Sequence, residues 1–308
     1  MPESTTVVVR VPATSANLGP GFDSLGLALT LFDDVEVTVT RGDGAVPGVA
    51  VQVEGEGAGD LDLGEGHLIV RAMFAALARA GVERPAGIRL KCVNRIPHAR
   101  GLGSSSAAIC AGILAARALC APEMTDDEVF ALATEMEGHP DNVAPCLYGG
   151  LTIAWTDPSG VPHVEKLIPH AGHRPVAIIP AERLSTEVAR GLLPAEVPHA
   201  DAAANAGRAA LLIAALMQGP KTDLLLAATE DRLHQDYRAP AMPDTLDLVK
   251  RLRAVGIPAV VSGAGPTVLA FLSAKSQDLI ASVVGTPWHI QPLDVETTGS
   301  HVRSPETR

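Results

Sequence analysis

The sequence has little positive charge for its length. Its 308 residues include 24 Lys and Arg against 35 Asp and Glu, which gives a formal net charge of −11 at pH 7. A surface that binds DNA or RNA neutralises phosphates with clustered basic residues, so this balance argues against nucleic acid as a partner. The sequence also has no apolar run long enough to span a bilayer, which predicts that no membrane is involved. Residues 1–10 contain no apolar signal-peptide core, which predicts a cytoplasmic location.

Cysteines are few and are not spaced like metal ligands. The four, at positions 92, 110, 120 and 146, form no Cys-x-x-Cys pair, which excludes the common zinc motifs. We therefore expect buried free thiols. The length, with 47% hydrophobic and 19% charged residues, predicts a globular protein of two domains.

A glycine loop lies between a predicted strand at 88–93 and a predicted helix that follows residue 107. The loop consists of Pro97, His98, Ala99, Arg100, Gly101, Leu102, Gly103, Ser104, Ser105, Ser106 and Ala107. Glycines, exposed backbone N–H groups and the positive end of a helix dipole together form an anion site. The pattern predicts a polyphosphate-binding loop with a serine hydroxyl that reaches a bound Mg²⁺. The three serines also predict a helix N-terminus, because their oxygens can cap its free N–H groups.

The loop lacks two widespread phosphate-binding patterns. No Gly-Lys-Ser/Thr follows, which excludes a Walker A loop, and the third glycine and ribose-binding acid of a dinucleotide fingerprint are missing. The pattern Pro-x3-Gly-Leu-Gly-Ser-Ser-x-Ala instead resembles the ATP loop of the GHMP kinases, which phosphorylate hydroxyl groups of small molecules. The resemblance implies that residues 97–107 bind ATP. It also implies that a second glycine loop, containing Gly263 and Gly265, packs against the first.

Four further segments resemble one branch of that family, the homoserine kinases. They are the stretch 12–29, Glu-Gly-His-Pro-Asp-Asn at 137–142, Ser-Thr-x-x-Ala-Arg-x-x-Leu-Pro at 185–194 and the segment 234–238. The resemblance implies transfer of the γ-phosphoryl group of ATP to the hydroxyl of L-homoserine, giving O-phospho-L-homoserine, the precursor of threonine. The implied substrate contacts are Asn17 and Asp23 at the ammonium, Arg190 and Arg238 at the carboxylate, and His139, Asp141 and Asn142 facing the substrate.

The resemblance also implies the catalytic groups. Ser105 and Glu137 would complete the Mg²⁺ shell, and Asn142 would orient the attacking hydroxyl, because a kinase site needs a carboxylate for the metal and polar groups for the acceptor. Glu135 is a rival metal ligand two residues away, and Glu137 is favoured because the acid of the family directly precedes this glycine. Whether Asp141 acts as a base stays open, since a loose transition state keeps the hydroxyl proton until late.

The implied fold is α+β, a two-domain GHMP kinase fold. Its N-terminal ATP-binding domain, 1–160, would carry a left-handed β-α-β crossover, an exception to the usual hand. A ferredoxin-like C-terminal domain, 161–295, would close the cleft, and a polar tail, 296–308, would be disordered. The family is often dimeric, which makes a homodimer an expectation.

Two other functions stay open at this point. One is a GHMP kinase for another small alcohol, such as a sugar or mevalonate, although two arginines and the Asn17/Asp23 loop favour a zwitterionic amino acid. The other is a non-catalytic nucleotide-binding regulator, for which we would expect a broken loop or a missing metal ligand. At the start of the predicted helix 67–80 the family commonly has an Asn near the nucleotide base, whereas this chain has His67.

Overall fold

Two β-sheets organise the chain, and a computed structural model describes them over residues 3–42, 46–272 and 279–305. The first sheet has seven strands, five of them in the order β11-β1-β2-β4-β3, and β5 joins β2 and also pairs with β6. Its strands are β1 (Glu3–Ala16), β2 (Leu25–Arg41), β3 (Gly48–Gly55), β4 (Gly87–Asn94), β5 (Leu151–Thr156), β6 (Pro162–Leu167) and β11 (His301–Arg303). Strands β3 and β4 are parallel neighbours, and the other pairs in this sheet are antiparallel.

Helices cover one face of this sheet. They are α1 (Leu68–Arg79), α2 (Ser104–Leu119), α3 (Asp126–Glu137) and α4 (Val143–Tyr148). Helix α1 connects the parallel strands β3 and β4, as a β-α-β crossover requires. Helix α3 begins with the predicted capping box, in which Thr125 and Glu128 bond each other's backbone N–H groups.

The second sheet confirms the ferredoxin-like expectation. Its strands are β7 (Arg174–Pro180), β8 (Ala259–Val261), β9 (Val268–Leu272) and β10 (Trp288–Pro292), in the spatial order β10-β7-β9-β8. If the four strands are numbered along the chain, their spatial order is 4-1-3-2. Helices connect strand 1 to strand 2 and strand 3 to strand 4, which is the β-α-β-β-α-β arrangement. Its helices are α5 (Thr186–Gly191), α6 (His199–Met217), α7 (Thr222–Ala228), α8 (Gln235–Arg238), α9 (Pro243–Ala254) and α10 (Ile280–Val284).

One hydrophobic core continues through both domains. It contains the buried faces of β1, β2 and α2, and also Ala177, Ile179, Leu269 and Phe271 from one face of the second sheet. The opposite face of that sheet packs a smaller core against α9. Because burial of apolar surface is the main stabilising term in folding, the shared core holds the two domains and the cleft between them in one arrangement.

The structure places the domain limits differently from the predicted ones. Strand β6 lies beyond the predicted limit at residue 160, yet it pairs with β5 in the first sheet, so the second domain begins between Leu167 and Arg174. The predicted disordered tail is also wrong as far as residue 303. Val295 bridges to Leu29, and β11 adds to the free edge of β1, so the segment after β10 returns to the first domain.

The signature segment 12–29 contains less loop than its composition indicates. Strand β1 continues through Ala13, Thr14, Ser15 and Ala16, which pair with residues at the start of β2. These small side chains are fully buried, so they fit beneath the loops that cross them. Only residues 17–24 form the connection, and the signature therefore presents a short, rigid turn at the cleft.

Among the described residues, one helix, α6, is long and apolar enough to cross a bilayer, with 19 residues and a mean hydropathy of 1.2. The expectation that no such segment exists therefore has this exception. Two polar side chains of α6 bond other parts of the chain. Asn205 donates to the carbonyl of Pro20, in the turn of the first domain, and accepts from the backbone N–H of Arg232. Asp201 pairs with the guanidinium of the same Arg232. These contacts fit a helix that packs on both domains.

Candidate active site

Two adjoining cavities share Ser104 and Ser105 in their linings: one opens between the domains, and the other lies within the first domain. The more polar one has a volume of about 240 Å³, and the more apolar one about 310 Å³. The polar cavity is lined by Leu184 and by residues of six predicted segments: Asn17, Ala99, Gly101, Gly103, Ser104, Ser105, Glu137, His139, Asp141, Asn142, Ser185, Thr186, Arg190, Arg238, Gly263 and Ala264. The fold thus brings the predicted phosphate, metal and substrate residues into one place.

The glycine loop ends at the N-terminus of α2 without a side-chain cap. Gly103 is the N-cap residue, with φ of 72°, and no side chain bonds the first N–H groups of the helix. The serines therefore do not cap it, contrary to the expectation, and the first-turn N–H groups stay available to an anion. A Cβ at Gly103 would lie 2.0 Å from Thr14 Oγ1, and one at Gly101 would lie 2.2 Å from the carbonyl oxygen of Ser262. Glycine is required at both positions for this close approach as well as for the positive φ.

Several side chains of the predicted ATP loop point elsewhere. Arg100 donates from its guanidinium to the carbonyls of His98, Pro180 and Ala181, so it ties the loop to β7 and is not free to hold phosphate. Leu102 is buried in the core, because its side chain lies under the loop. Five residues predicted to bind ATP line neither cavity: Pro97, Arg100, Leu102, Ser106 and Gly265.

Ser105 and Glu137 stand together at the mouth of the loop. The Ser105 hydroxyl donates to Glu137 Oε2 over 2.9 Å. Two oxygens bound to one Mg²⁺ at about 2.1 Å and at right angles lie about 3 Å apart, so this spacing fits adjacent ligands of an octahedral ion. Among the described residues no group of three or more His, Cys, Asp or Glu could hold a metal.

The structure separates Glu137 from its rival Glu135. Glu135 lies on the outer side of α3 and pairs with Arg79, with its side chain mostly exposed. Glu137 lines the polar cavity, and burial raises the pKa of its carboxyl despite the hydrogen bond from Ser105. A desolvated carboxylate beside a hydroxyl is a suitable partner for a divalent cation. This geometry favours Glu137 as the ligand.

The segment after α3 brings a His–Asp pair into the cavity. His139 Nδ1 and Asp141 Oδ1 are 2.6 Å apart, and Asp141 is almost fully buried. Burial alone would lower the pKa of His139, but the hydrogen bond and the charge of Asp141 outweigh it and raise that pKa. Asn142 follows at the N-cap position of α4 without capping the helix.

The first predicted carboxylate ligand, Arg190, pairs with the predicted ammonium ligand, Asp23. The two Nη atoms of Arg190, on α5 of the second domain, bond both oxygens of Asp23, in the turn of the first domain, over 2.8 and 3.1 Å. The hydrogen bond that Arg190 donates to Asp23 raises the pKa of Arg190. Each side chain is about a third exposed, and exposed pairs of this kind are weak. A ligand with its own ammonium and carboxylate can therefore compete with the pair.

The second predicted arginine, Arg238, is deeply buried and held from several sides. Its Nε and Nη1 donate to the carbonyls of Ala189 and Gly263 over 3.3 Å, and Nη1 also contacts His234 Nδ1. Burial, and then the charge of Arg190, lowers the pKa of Arg238. The Cζ atom of Arg238 lies 5.5 Å from the ring centre of Phe22, and no carboxylate of the described residues is bonded to the guanidinium. A desolvated cation that lines a cavity is a strong anion site.

Asn17 joins the second glycine loop to the turn that follows β1. Its Nδ2 donates to the carbonyl of Gly263, and its Oδ1 accepts from the backbone N–H of Asp23. Asn17 has φ of 67°, a conformation that Asn tolerates better than most residues. Because Nδ2 has two N–H donors and uses one of them here, its predicted contact to a substrate stays a prediction.

The apolar cavity lies between α1, the glycine loop and the turn after β3. Its lining includes Val11, Asp33, Val35, His67 and His98. His67 Nδ1 accepts from the backbone N–H of Ile69 and caps α1, while burial lowers the pKa of His67. This His is thus a neutral helix cap at the position where the resemblance implies an Asn. The size and apolar lining suit a flat heterocyclic base beside the phosphate loop.

Asp33 provides a pH-dependent term in stability. Burial raises its pKa to about 6, although its Oδ1 accepts the backbone N–H groups of Arg95 and Ile96. The pKa of Asp33 is higher in the folded state than in the unfolded state, so the fold favours the protonated carboxyl. Its stabilising contribution to the free energy of unfolding is therefore fully present below pH 4 and is lost as the pH rises through 6. We expect Asp33→Asn to raise the free energy of unfolding by about 1–3 kcal/mol at pH 8 and by little at pH 4. Urea unfolding at both pH values measures this.

The neighbouring Asp34 is a control, because its contribution to the free energy of unfolding should change with pH in the opposite direction. Burial alone would raise the pKa of Asp34, but its ion pairs with Arg10 and Arg95 lower it. Its stabilising contribution is present above the unfolded pKa and is lost on acidification. Asp34→Asn should therefore destabilise the protein at pH 8. An equal effect of both substitutions, or an Asp33→Asn effect that does not vary with pH, would contradict this assignment.

Sequence reasoning missed the residues that support the site from beneath. Thr14 bonds Asn142, Ser262 bonds Ser15 and the carbonyl of Gly101, and His234 bonds Arg238 and the carbonyl of Gly19. Apart from His234 and Arg238, these partners are far apart along the chain, so local pattern gives no sign of them. Only the position of Ser262 beside Gly263 marks one of these residues in the sequence.

The chain is similar to known families and proteins. Residues 67–150 match the GHMP kinases N terminal domain, and residues 203–290 match the GHMP kinases C terminal domain. The chain is similar to the homoserine kinase of Streptomyces avermitilis, with 53% identity over 97% of this chain and 96% of the relative. It is similar to that of Clavibacter michiganensis subsp. michiganensis, with 54% identity over 96% of this chain and 94% of the relative.

A solved structure extends the similarity to three dimensions. The crystal structure of homoserine kinase from Cytophaga hutchinsonii superposes with a TM-score of 0.82 and 27% identity, covering 97% of each chain. The similarity includes both domains and therefore the cleft between them.

Proposed function

The chain belongs to the homoserine kinases, within the GHMP kinase family, and on that premise we propose how its cleft uses ATP and L-homoserine. The reaction forms a bond between the side-chain hydroxyl oxygen of L-homoserine and the γ-phosphorus of ATP, while the bond between that phosphorus and ADP breaks. The observation that carries the proposal is the polar cavity itself. A helix N-terminus, a metal-type carboxylate and two arginines converge on it.

We propose that ATP lies across both cavities. Its base would occupy the apolar cavity, and its phosphates would lie at Ser104 and Ser105, where the cavities meet. The free N–H groups at the start of α2 would bond the phosphate oxygens. Of the predicted ATP loop, Arg100 and Leu102 support its shape, and Gly101 and Gly103 allow close approach.

Ser105 and Glu137 are the residues that would hold Mg²⁺, which would neutralise phosphate charge when bound. Their oxygens are already spaced as adjacent ligands. The protein otherwise contributes position and electrostatics, because phosphoryl transfer asks for little covalent chemistry from the enzyme.

We propose that L-homoserine binds with its carboxylate at Arg238 and Arg190 and its ammonium at Asp23. The Asp23–Arg190 pair then opens towards the opposite charges of the substrate, and Asn17 keeps the turn in place. His139 and Asn142 would contact the hydroxyl end, nearer to Glu137 and the loop. Asp141, which His139 already engages at Oδ1, would orient His139, so we assign it no proton abstraction.

We further propose a cytoplasmic protein that forms a homodimer and uses neither nucleic acid nor membrane. The net charge of −11 supports the absence of nucleic acid. The ion pair of α6 with Arg232 of its own domain and its hydrogen bond to Pro20 of the first domain support the absence of a membrane span.

Phosphorus NMR of the product tests the reaction directly. With Mg-ATP and L-homoserine we expect one phosphate monoester for each ADP formed, and no ATP consumption when the acceptor is omitted. ADP together with inorganic phosphate would show a nucleotide hydrolase and would contradict the proposal.

A further inference from the structure

A hydroxyl beneath the glycine loop stands in contact with the residue that orients the acceptor. Thr14 belongs to β1 and is fully buried. Its Oγ1 donates to Asn142 Oδ1 over 2.8 Å, although the two residues are 128 positions apart. Its backbone N–H donates to the carbonyl of Leu102 over 3.1 Å, so Thr14 joins the loop to the acceptor segment.

The side chain of Asn142 is engaged in an unusual way for its position. Asn is among the preferred N-cap residues, where its oxygen normally bonds an N–H group of the first helix turn. At the start of α4 this bond is absent, and the oxygen accepts from Thr14 instead. With Oδ1 held, the Nδ2 group of Asn142 keeps its two N–H donors for the cavity that the residue lines.

The surroundings leave the two groups little freedom. A Cβ at Gly103 would lie 2.0 Å from Thr14 Oγ1 and 3.3 Å from Asn142 Oδ1, so the loop closes over their contact. A buried hydroxyl that loses its partner costs free energy, so this bond favours one orientation of the amide.

We propose that Thr14 is a positioning residue, whose hydroxyl fixes the amide of Asn142 so that its N–H donors meet the attacking hydroxyl of the acceptor. This inference rests on the role of Asn142 in the proposed function. Thr14 itself touches neither substrate. Its effect appears in kcat, because the orientation of the acceptor matters at the reacting geometry.

A double-mutant cycle tests the proposal, with kcat and both KM values measured for wild type, Thr14→Val, Asn142→Ala and the double variant. We expect Thr14→Val to lower kcat about 10–100-fold with each KM within about threefold, because small misplacements cost this much. In the Asn142→Ala background the same substitution should cost less than about twofold, because there is no amide left to orient. Thr14→Ser, which keeps the hydroxyl, should stay within about threefold of wild type.

Two further variants remove the alternative explanations. Thr14→Ala also lacks the hydroxyl and replaces Thr14→Val if the latter does not fold, as judged by circular dichroism. Thr152→Val removes another fully buried threonine hydroxyl, with a 3.4 Å contact to the carbonyl of Gly26, and reports the general cost of such a change.

The outcomes separate this proposal from the proposed function. An equal loss from Thr14→Val in both backgrounds, or an equal loss from Thr14→Ser, would overturn the positioning role while leaving the kinase activity of wild type intact. A raised KM for ATP with unchanged kcat would also overturn it, because it would assign Thr14 to the loop alone. A wild-type protein without activity on L-homoserine would overturn the proposed function first.

Discussion

Replacing Glu137 with glutamine is expected to lower kcat about a thousandfold and to raise the Mg²⁺ concentration needed for half-maximal activity. Glutamine keeps the size and one carbonyl oxygen, so the hydrogen bond from Ser105 can persist, but it removes the negative charge. Removal of one electrostatic group at a reacting phosphate lowers the rate about 10²–10³-fold, and we expect loss of a metal ligand to lie at the upper end of this range. Steady-state rates of ADP release across a Mg²⁺ titration measure both effects.

Glu135 gives a matched control on the same helix. It is two residues away, points outward and pairs with Arg79 at the surface. Glu135→Gln should change kcat by less than about twofold and stability by less than about 1 kcal/mol, as for other exposed pairs. A large loss from Glu135→Gln together with a small one from Glu137→Gln would show that the metal ligand has been assigned to the wrong glutamate.

Arg238→Met is expected to raise the KM for L-homoserine about 100-fold and leave the KM for ATP nearly unchanged. The guanidinium is buried and lines the polar cavity, and no carboxylate of the described residues is bonded to it, so a substrate carboxylate can occupy that place. Loss of one partner of a desolvated charge pair costs about 2–5 kcal/mol. Arg238→Lys should not restore binding, because an ammonium cannot reproduce the planar fork of the guanidinium.

A substrate without the carboxylate separates recognition from general damage. Wild type should prefer L-homoserine over 3-amino-1-propanol by at least about 100-fold in kcat/KM, and Arg238→Met should lose most of that preference. Arg232→Met, at a nearby exposed arginine that pairs with Asp201, is the control for removing a positive charge. If Arg238→Met keeps the full preference, Arg238 is not the carboxylate site.

The local features of the fold were predictable where one short segment determines them. The glycine loop between β4 and α2, the capping box at Thr125 and the alternating strands each depend on neighbours a few residues apart. The whole site could be proposed only through resemblance, because its parts come from segments between residue 17 and residue 264.

The errors have the same physical origin. Strand β6 and strand β11 were misplaced because strand pairing is non-local: their partners β5 and β1 satisfy their backbone groups, which composition does not show. Arg100 was assigned to phosphate because its charge suits an anion. The fold uses it for three carbonyls at the domain interface instead. The Asp23–Arg190 pair was missed because each residue had been assigned to the substrate alone.

Acceptor selectivity tests the central claim most directly: that this cleft phosphorylates a zwitterionic amino acid. ADP release from Mg-ATP is measured with L-homoserine, D-homoserine, L-serine, mevalonate and galactose. We expect kcat/KM for L-homoserine to exceed that for each other acceptor by at least about 100-fold, since two arginines and Asp23 bind both charges of the substrate. Faster turnover of mevalonate or galactose, or ATP binding without turnover of any acceptor, would contradict it.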